Sequence, residues 1–436
     1  MGDSKKRLVF NFDGTWNRVD QICPSNVVLT AESVLPLGSD GVAQMNYYDQ
    51  GVGTGALDKF SGGIFGAGLT NNLADAYRNL VFNYTPGDDI FVFGFSRGAF
   101  TARSFVGLLR HCGIVARCHA GKTVEAIKLY QARDDSPEWK ERVSAFQKDY
   151  VPYREPPIRY LGVWDTVGSL GVPNYYFIAR FFNGKYRFHD EGLSPCVKSA
   201  RHAVAIDENR RAFEPTLWDN VDELNGAAGM DSAAPDAPYQ QKWFPGVHNA
   251  VGGSGQMRGL SDQTLEWVWA GARLAGLELD TSESSRVYSL RPDFNDPLDT
   301  LPPRKKGMLA RAGYHVWRRK PRAGGPTELH QVSIAARRRW HAAPEALPEG
   351  VQYRPPPLEA VAAALDADSE YRNPAPIPPP GTFDVIVVKQ GDTLGKIAKE
   401  RLGAARRYPE IFEMNRDKLG DPNRIYCGMT LRVPRS

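Results

Sequence analysis

The chain has 436 residues, enough for one large core plus a smaller unit, because a single core stops growing at roughly 250 to 300 residues. With 54 Lys and Arg against 50 Asp and Glu, the formal net charge of +4 is too small an excess to mark a nucleic-acid binder. The five cysteines are odd in number and scattered from Cys23 to Cys427, which argues against a disulfide scaffold and for synthesis in a reducing compartment.

The opening MGDSKKRLVFNFDGTW has only a short apolar run, which reads as a strand and not as a signal peptide. No stretch approaches roughly 18 uninterrupted apolar residues, the length a spanning helix needs. The expectation is a product made in the cytoplasm without a Sec signal, and soluble or peripheral to a membrane.

From Lys6 to about Leu277, β-rich runs alternate with helical patterns, which predicts an α/β fold: a mostly parallel sheet with helices on both faces. The predicted strands are Arg7 to Phe12, Val42 to Tyr48, Ile90 to Phe95, Ile158 to Trp164, Ala200 to Ile206 and Gln241 to Val247. Leu73, Ala76, Tyr77, Leu80 and Val81 have the spacing of a helix over Leu69 to Asn83, and another is predicted over Ala99 to His111. The stretch Thr281 to Leu358, with basic clusters at Arg304 to Lys306, Arg318 to Lys320 and Arg337 to Arg339, is assigned to the same domain. Asn373 to Thr382 reads NPAPIPPPGT, an extended, semi-rigid spacer. The expected division is 1–358 for the large domain, 359–382 for an Ala- and Pro-rich linker, and 383–436 for a small domain.

Ile90 to Ala99 reads IFVFGFSRGA, a strand running into Gly94-Phe95-Ser96-Arg97-Gly98 and then a helix, which is a G-x-S-x-G nucleophile elbow. The turn leaves no room for side chains at 94 and 98, while Ser96 stands at a helix N-terminus whose dipole favours a developing negative charge. A serine needs a base, and the base a carboxylate, in the chain order Ser, acid, His. His248, in WFPGVHNAVGG, suits a base on the last βα loop. For the acid, Asp165 and Asp207 both end predicted strands, where sites of open α/β sheets collect. The oxyanion donors should be the backbone N–H of Arg97 and one from Phe12-Asp13-Gly14-Thr15, with Gly14 the candidate. Asp13 itself suits a turn or cap equally well.

Other signals are weaker. The gap between Cys112 and Cys118, which His111 and His119 flank, is too long for a zinc knuckle. Gly51 to Gly55 lacks a dinucleotide fingerprint, and Ala120 to Thr123 lacks the first glycine of a phosphate loop. The aromatic run Tyr175 to Phe182 reads as core or as a lid. No metal and no cofactor is expected.

FNFDGTWN, GFSRGAFTAR, GVWDTVGSLG, AIDENRRAF and WFPGVHNAVGG together resemble the type VI secretion phospholipase effector family of α/β-hydrolases, over roughly residues 6 to 358. The resemblance implies release of fatty acid from membrane phospholipids, often in a competing bacterium, by a Ser96, Asp165 and His248 triad, with Asp207 the alternative acid. It also implies a secretion apparatus and an immunity protein as partners, and export to the target-cell periplasm. The loop that usually reads His-Ser-Asp-Val-Gly-Gly here has Asn249 and Ala250 in place of Ser and Asp.

At the C-terminus, VVKQGDTLGKIAKERLG, PEIFEMNRDKL and IYCGMTLRVP look like a LysM module, two short strands flanking two helices. Gly391-Asp392-Thr393 makes the turn and caps the first helix, Leu394, Ile397 and Ala398 form its buried face, and Asn415 ends the second. The resemblance implies binding of an N-acetylglucosamine-containing glycan such as peptidoglycan. No nucleic-acid partner is expected.

Overall fold

The structure is a computed structural model and describes residues 5–14, 17–51, 62–168, 192–210, 213–280, 290–299, 321–322, 324–368, 371, 382–389, 391–416, 419, 422, 425 and 430–435. Thr15, the glycine-rich run beyond Gly51, the aromatic run Tyr175 to Phe182, the clusters Arg304 to Lys306 and Arg318 to Lys320, the Pro-rich spacer before Thr382, and Cys427 lie outside the described residues.

Among the described residues six strands build the large sheet: β1 (Lys6–Phe12), β2 (Ala43–Asp49), β3 (Asp89–Phe95), β4 (Ile158–Trp164), β5 (Ala200–Ala205) and β6 (Tyr239–Phe244). All pair in parallel in the order β2-β1-β3-β4-β5-β6. The helices that matter here are α1 (Asn26–Ser33), α2 (Gly62–Asn83), α3 (Arg97–Cys112), α4 (His248–Gly252) and α5 (Gly259–Leu274). The continuous apolar runs of the inner strands split by the two-residue period of a strand. Leu8, Phe10, Phe12, Ile90 and Val92 face a core shared with α2 and α3. Val9, Phe91, Phe93 and Phe95 face one shared with α1 and α5, where Val268 and Trp269 are fully buried. The last strand begins and ends earlier than the expected Gln241 to Val247, because the chain turns at Gly246, whose φ is 106°.

A third cluster closes the β6 side of the sheet. Val332, Ala336, Trp340, Leu347, Tyr353 and Leu358 pack on Val204, Ile206 and Trp243. The packing continues past Leu358 to Val361, Leu365 and Tyr371. Of the basic run Arg337 to Arg339, Arg338 and Arg339 are buried, and Arg339 donates to the carbonyls of Phe294 and Asp296.

The C-terminal unit has strands β7 (Phe383–Val387) and β8 (Thr430–Pro434), paired antiparallel, with helices over Leu394–Leu402 and Tyr408–Met414 between them. Thr393 caps the first helix through Lys396 N, and Asn415 follows the second and binds both ways to Arg432 of β8. Among the described residues no helix is long and apolar enough to cross a membrane.

The order of the six strands reverses direction between β1 and β3, and ligands of open α/β sheets bind at such a switch point, outside the strand C-termini. Gly98 brings the two strand ends together: a Cβ there would stand 2.2 Å from the Phe12 carbonyl oxygen and 2.4 Å from that of Asp13. Because both obstacles are backbone, Gly98→Ala is expected to destabilise the domain by about 1–3 kcal/mol or more. A urea-unfolding midpoint equal to that of the unaltered protein would refute the close approach.

Candidate active site

Ser96 sits between β3 and α3 with φ 60° and ψ −123°, a conformation costly for a residue with a Cβ and therefore one the surrounding structure must impose. Its N–H is tied to the Trp164 carbonyl at 3.0 Å, and its carbonyl accepts from Phe100 N. Gly94 permits the turn, since a Cβ there would meet the Gly98 carbonyl oxygen at 2.6 Å. Arg97 opens α3, where a helix's first N–H groups have no intrahelical acceptor.

His248 opens α4, the short helix after β6, and is buried. Its Nδ1 lies 2.6 Å from Asp165 Oδ2. The carboxylate accepts, so Nδ1 carries the proton and Nε2 is left with its lone pair. The ring is held between Phe95, centroids 4.6 Å apart, and Phe213, edge-on at 4.7 Å. The backbone N–H of His248 donates to Glu208 Oε2, and Glu208 is clasped by Arg210. Burial pushes the imidazole below its ordinary value, against the opposite pull of Asp165 and Glu208. Among the described residues, Ser96 Oγ and His248 Nε2 form no hydrogen bond; such contacts often tighten only with substrate.

Asp165 is fully buried. Burial would raise its pKa, but the Arg322 guanidinium and the His248 ring hold the carboxyl well below the usual range. Arg322 grips both oxygens, Nη1 to Oδ1 at 2.7 Å and Nη2 to Oδ2 at 2.8 Å. Asp207, the alternative acid, is engaged elsewhere: it accepts from Gly246 N at 2.6 Å and from the Tyr353 hydroxyl at 2.9 Å. Burial pushes it up to about 6. His202 accepts from Thr166 N and is pushed down to about 3 by burial and Arg103. It is a neutral, structural ring.

The expected role of Gly14 as an oxyanion donor needs correction. Gly14 walls the serine, since a Cβ on it would lie 3.3 Å from Ser96 Cβ. Its N–H, however, donates to Asp13 Oδ1 at 2.7 Å and is spent there. Asp13 is a buried hub that also accepts from Asn17, Ser25 and Tyr48. It supports the loop as a turn residue would, and Thr15 lies outside the described residues.

Arg322, Glu208 and Phe213 were missed by sequence reasoning. Glu208 and Phe213 lie in the quoted AIDENRRAF run, which was a signal; Arg322 offered none. Glu208 also supplies a carboxylate beside the loop where Ala250 replaces the family's Asp, and Ala250 is instead buried, close to Gly246.

A family model described as the catalytic domain of Tle1-like phospholipase effectors of the type VI secretion system matches residues 6–271. The chain belongs to this family. A LysM domain model matches residues 386–434. An uncharacterized protein of Saccharomyces cerevisiae, YEL023C, is 28% identical over 232 residues, covering 48% of this chain and 32% of its own length. The potassium binding protein Kbp of Escherichia coli is 49% identical over 47 residues, 11% of this chain and 32% of Kbp. The chain thus spans about a third of the length of each of these relatives. Two solved structures are more distant. One is an uncharacterized protein from Pseudomonas aeruginosa, with a TM-score of 0.35 and 19% identity over 63% of this chain and 46% of that one. The other is the Tle1 effector bound to the VgrG spike, with a TM-score of 0.32 and 20% identity over 57% of this chain and 51% of that one.

The lowered value of His248 has a readable consequence. Imidazole NMR is expected to show His248 neutral at pH 7, titrating below the ordinary value of about 6.5. Asp165→Asn, which removes the carboxylate pulling the other way, should lower it further. A His248 that protonates above the ordinary value would contradict the balance of burial over charge.

Proposed function

We propose that the chain is a carboxylic-ester hydrolase that cleaves phospholipids, with Ser96 as nucleophile, His248 as base and Asp165 as the acid that holds the base. The single observation carrying this reading is the buried 2.6 Å Asp165–His248 bond beside a serine on a strained strand-to-helix turn. Ser96 Oγ attacks the acyl carbonyl while His248 Nε2 takes its proton, and Asp165 stabilises the imidazolium. The Arg97 N–H faces the developing oxyanion. His248 then protonates the leaving alcohol, and water, activated by the same ring, releases the fatty acid from Ser96. No step needs a metal or a cofactor.

Membership of the effector family supports phospholipid as substrate and delivery by type VI secretion to a target-cell periplasm. Membership of a type VI secretion effector family supports a partner in the secretion apparatus, and an antibacterial lipase implies a producer-side immunity protein. The LysM domain supports peptidoglycan binding. On this reading residues 1–358 and the packed segment after them form the catalytic unit, a linker reaches to 382, and 383–436 holds the wall. The LysM domain also favours a second reading, an ester of the cell wall itself as substrate.

Ser96→Ala should abolish nearly all ester turnover with the fold intact, and phospholipid vesicles should be cleaved in preference to peptidoglycan. Turnover by the alanine variant would sink the serine mechanism, and release from peptidoglycan alone would select the second reading. Asp165→Asn should cost about 10⁴-fold in kcat, whereas Asp207→Asn, which keeps an acceptor for Tyr353, should cost far less. Comparable losses in the two would deny Asp165 its role. Deleting 373–436 should spare hydrolysis of a soluble ester and weaken retention on peptidoglycan; unchanged retention would make the module a docking part.

A further inference from the structure

We propose that Arg322 is a positioning residue for the catalytic acid, supplied by a segment beyond the 6–271 stretch that the family model matches. The proposal rests on the triad reading given above. Asp165 needs such a partner. Its φ of 37° is one that a residue with a Cβ rarely adopts, and its carboxylate is fully buried. One bond to His248 would leave that carboxylate free to rotate about its own axis. Four donors fix it instead: Ala205 N at 2.9 Å and Arg322 Nη1 at 2.7 Å on Oδ1, His248 Nδ1 at 2.6 Å and Arg322 Nη2 at 2.8 Å on Oδ2.

The same guanidinium ties down the other wall of the site. Nη1 also donates to the Ala205 carbonyl and Nη2 to that of Phe213, whose ring packs edge-on against His248. One side chain therefore links the ends of β4 and β5 to the aromatic clamp on the base. Arg322 is itself anchored. Gly325, three residues on, fits only without a side chain, because a Cβ would stand 1.8 Å from the Pro357 carbonyl oxygen. Pro357 and Leu358 are buried, Leu358 in the cluster that closes the β6 side of the sheet.

Arg322 also settles the charge around the base. Among the described residues, the charged groups at His248 are the carboxylates Asp165 and Glu208 with their partners, Asp165 paired with Arg322 and Glu208 with Arg210. Each negative charge is matched, so a neutral imidazole meets no uncompensated field and stays available as a base at neutral pH. Loss of Arg322 leaves Asp165 unbalanced, and an unbalanced carboxylate favours the imidazolium.

The test uses the full chain, a soluble ester, and variants Arg322→Ala, Arg322→Lys and Arg322→Gln with thermal melts in parallel. Arg322→Ala should lower kcat on the order of 100-fold, the cost of a misplaced catalytic group, with KM little changed. The acidic limb of its kcat/KM profile should move to higher pH, and added guanidinium should restore part of kcat. Arg322→Lys should be intermediate, because an ammonium cannot make the fork. If the alanine variant fails to fold, the lysine and glutamine variants carry the pH measurement. A folded variant with unaltered kcat and profile overturns the proposal, as does a loss of activity with no shift of the limb and no guanidinium rescue. Failure of the hydrolase reading looks different: there Ser96→Ala stays active, whereas here activity still depends on Ser96 and ignores Arg322.

Discussion

The site depends on one buried carboxylate. Asp165 is fully buried, its carboxyl held well below the usual range by the Arg322 guanidinium and the His248 ring, and a buried charge persists only when paired and hydrogen-bonded. Its partners come from three separate places: Ala205 at the end of β5, His248 at the start of α4, and Arg322. Whatever holds those three together also holds His248 to Asp165. Two of the hydrophobic clusters bear on these partners: Ala205 and Val251 of α4 pack in one, and Leu358, whose neighbour Pro357 meets Gly325, packs in the cluster on the β6 side.

The opposite wall is built around a second buried carboxylate with different chemistry. Among the described residues no cation pairs with Asp13; it accepts from one backbone N–H, an amide, and two hydroxyls, and burial leaves its pKa raised. Ser25 joins this hub to α1 by accepting from Val28 N while donating to Asp13. Its neighbour Asn26 reaches across to the carbonyls of Val251 and Ser261. The loop after β1 and the loop after β6 are therefore one polar assembly beside Ser96, which explains how Gly14 can line the serine while its N–H points away.

Much of this was legible in the sequence, and what was not has a common cause. The six strands and the elbow follow from local periodicity and from glycines at 94 and 98, which the close contacts require. His248 was legible because its loop follows the last strand. Strand position alone left Asp165 and Asp207 open, since both follow parallel strands, and it was the family motif that favoured Asp165. Their partners lie far along the chain: Tyr353 is 146 positions from Asp207, and Arg322 is 157 positions from Asp165. No periodicity carries such pairings. Asn249 and Ala250 suggested a missing loop carboxylate, and Glu208 stands near from another strand end.

The segment after α5 is where the family match and the folded unit part company. A match ending at 271 covers the strands together with Ser96, Asp165 and His248, yet the β6 edge of the sheet is covered by residues beyond it. Trp243 of β6 bridges in parallel to Val332, and Ser333 N bonds to the Trp243 carbonyl. An uncovered edge strand with buried aromatic neighbours would expose both unpaired backbone groups and apolar surface. The covering segment therefore stabilises the sheet in its own right, and a chain that must cover this edge passes within reach of the β4 and β5 ends. Arg322 links the integrity of that edge to Asp165. Two buried carboxylates therefore take partners from that cover, Asp165 from Arg322 and Asp207 from Tyr353.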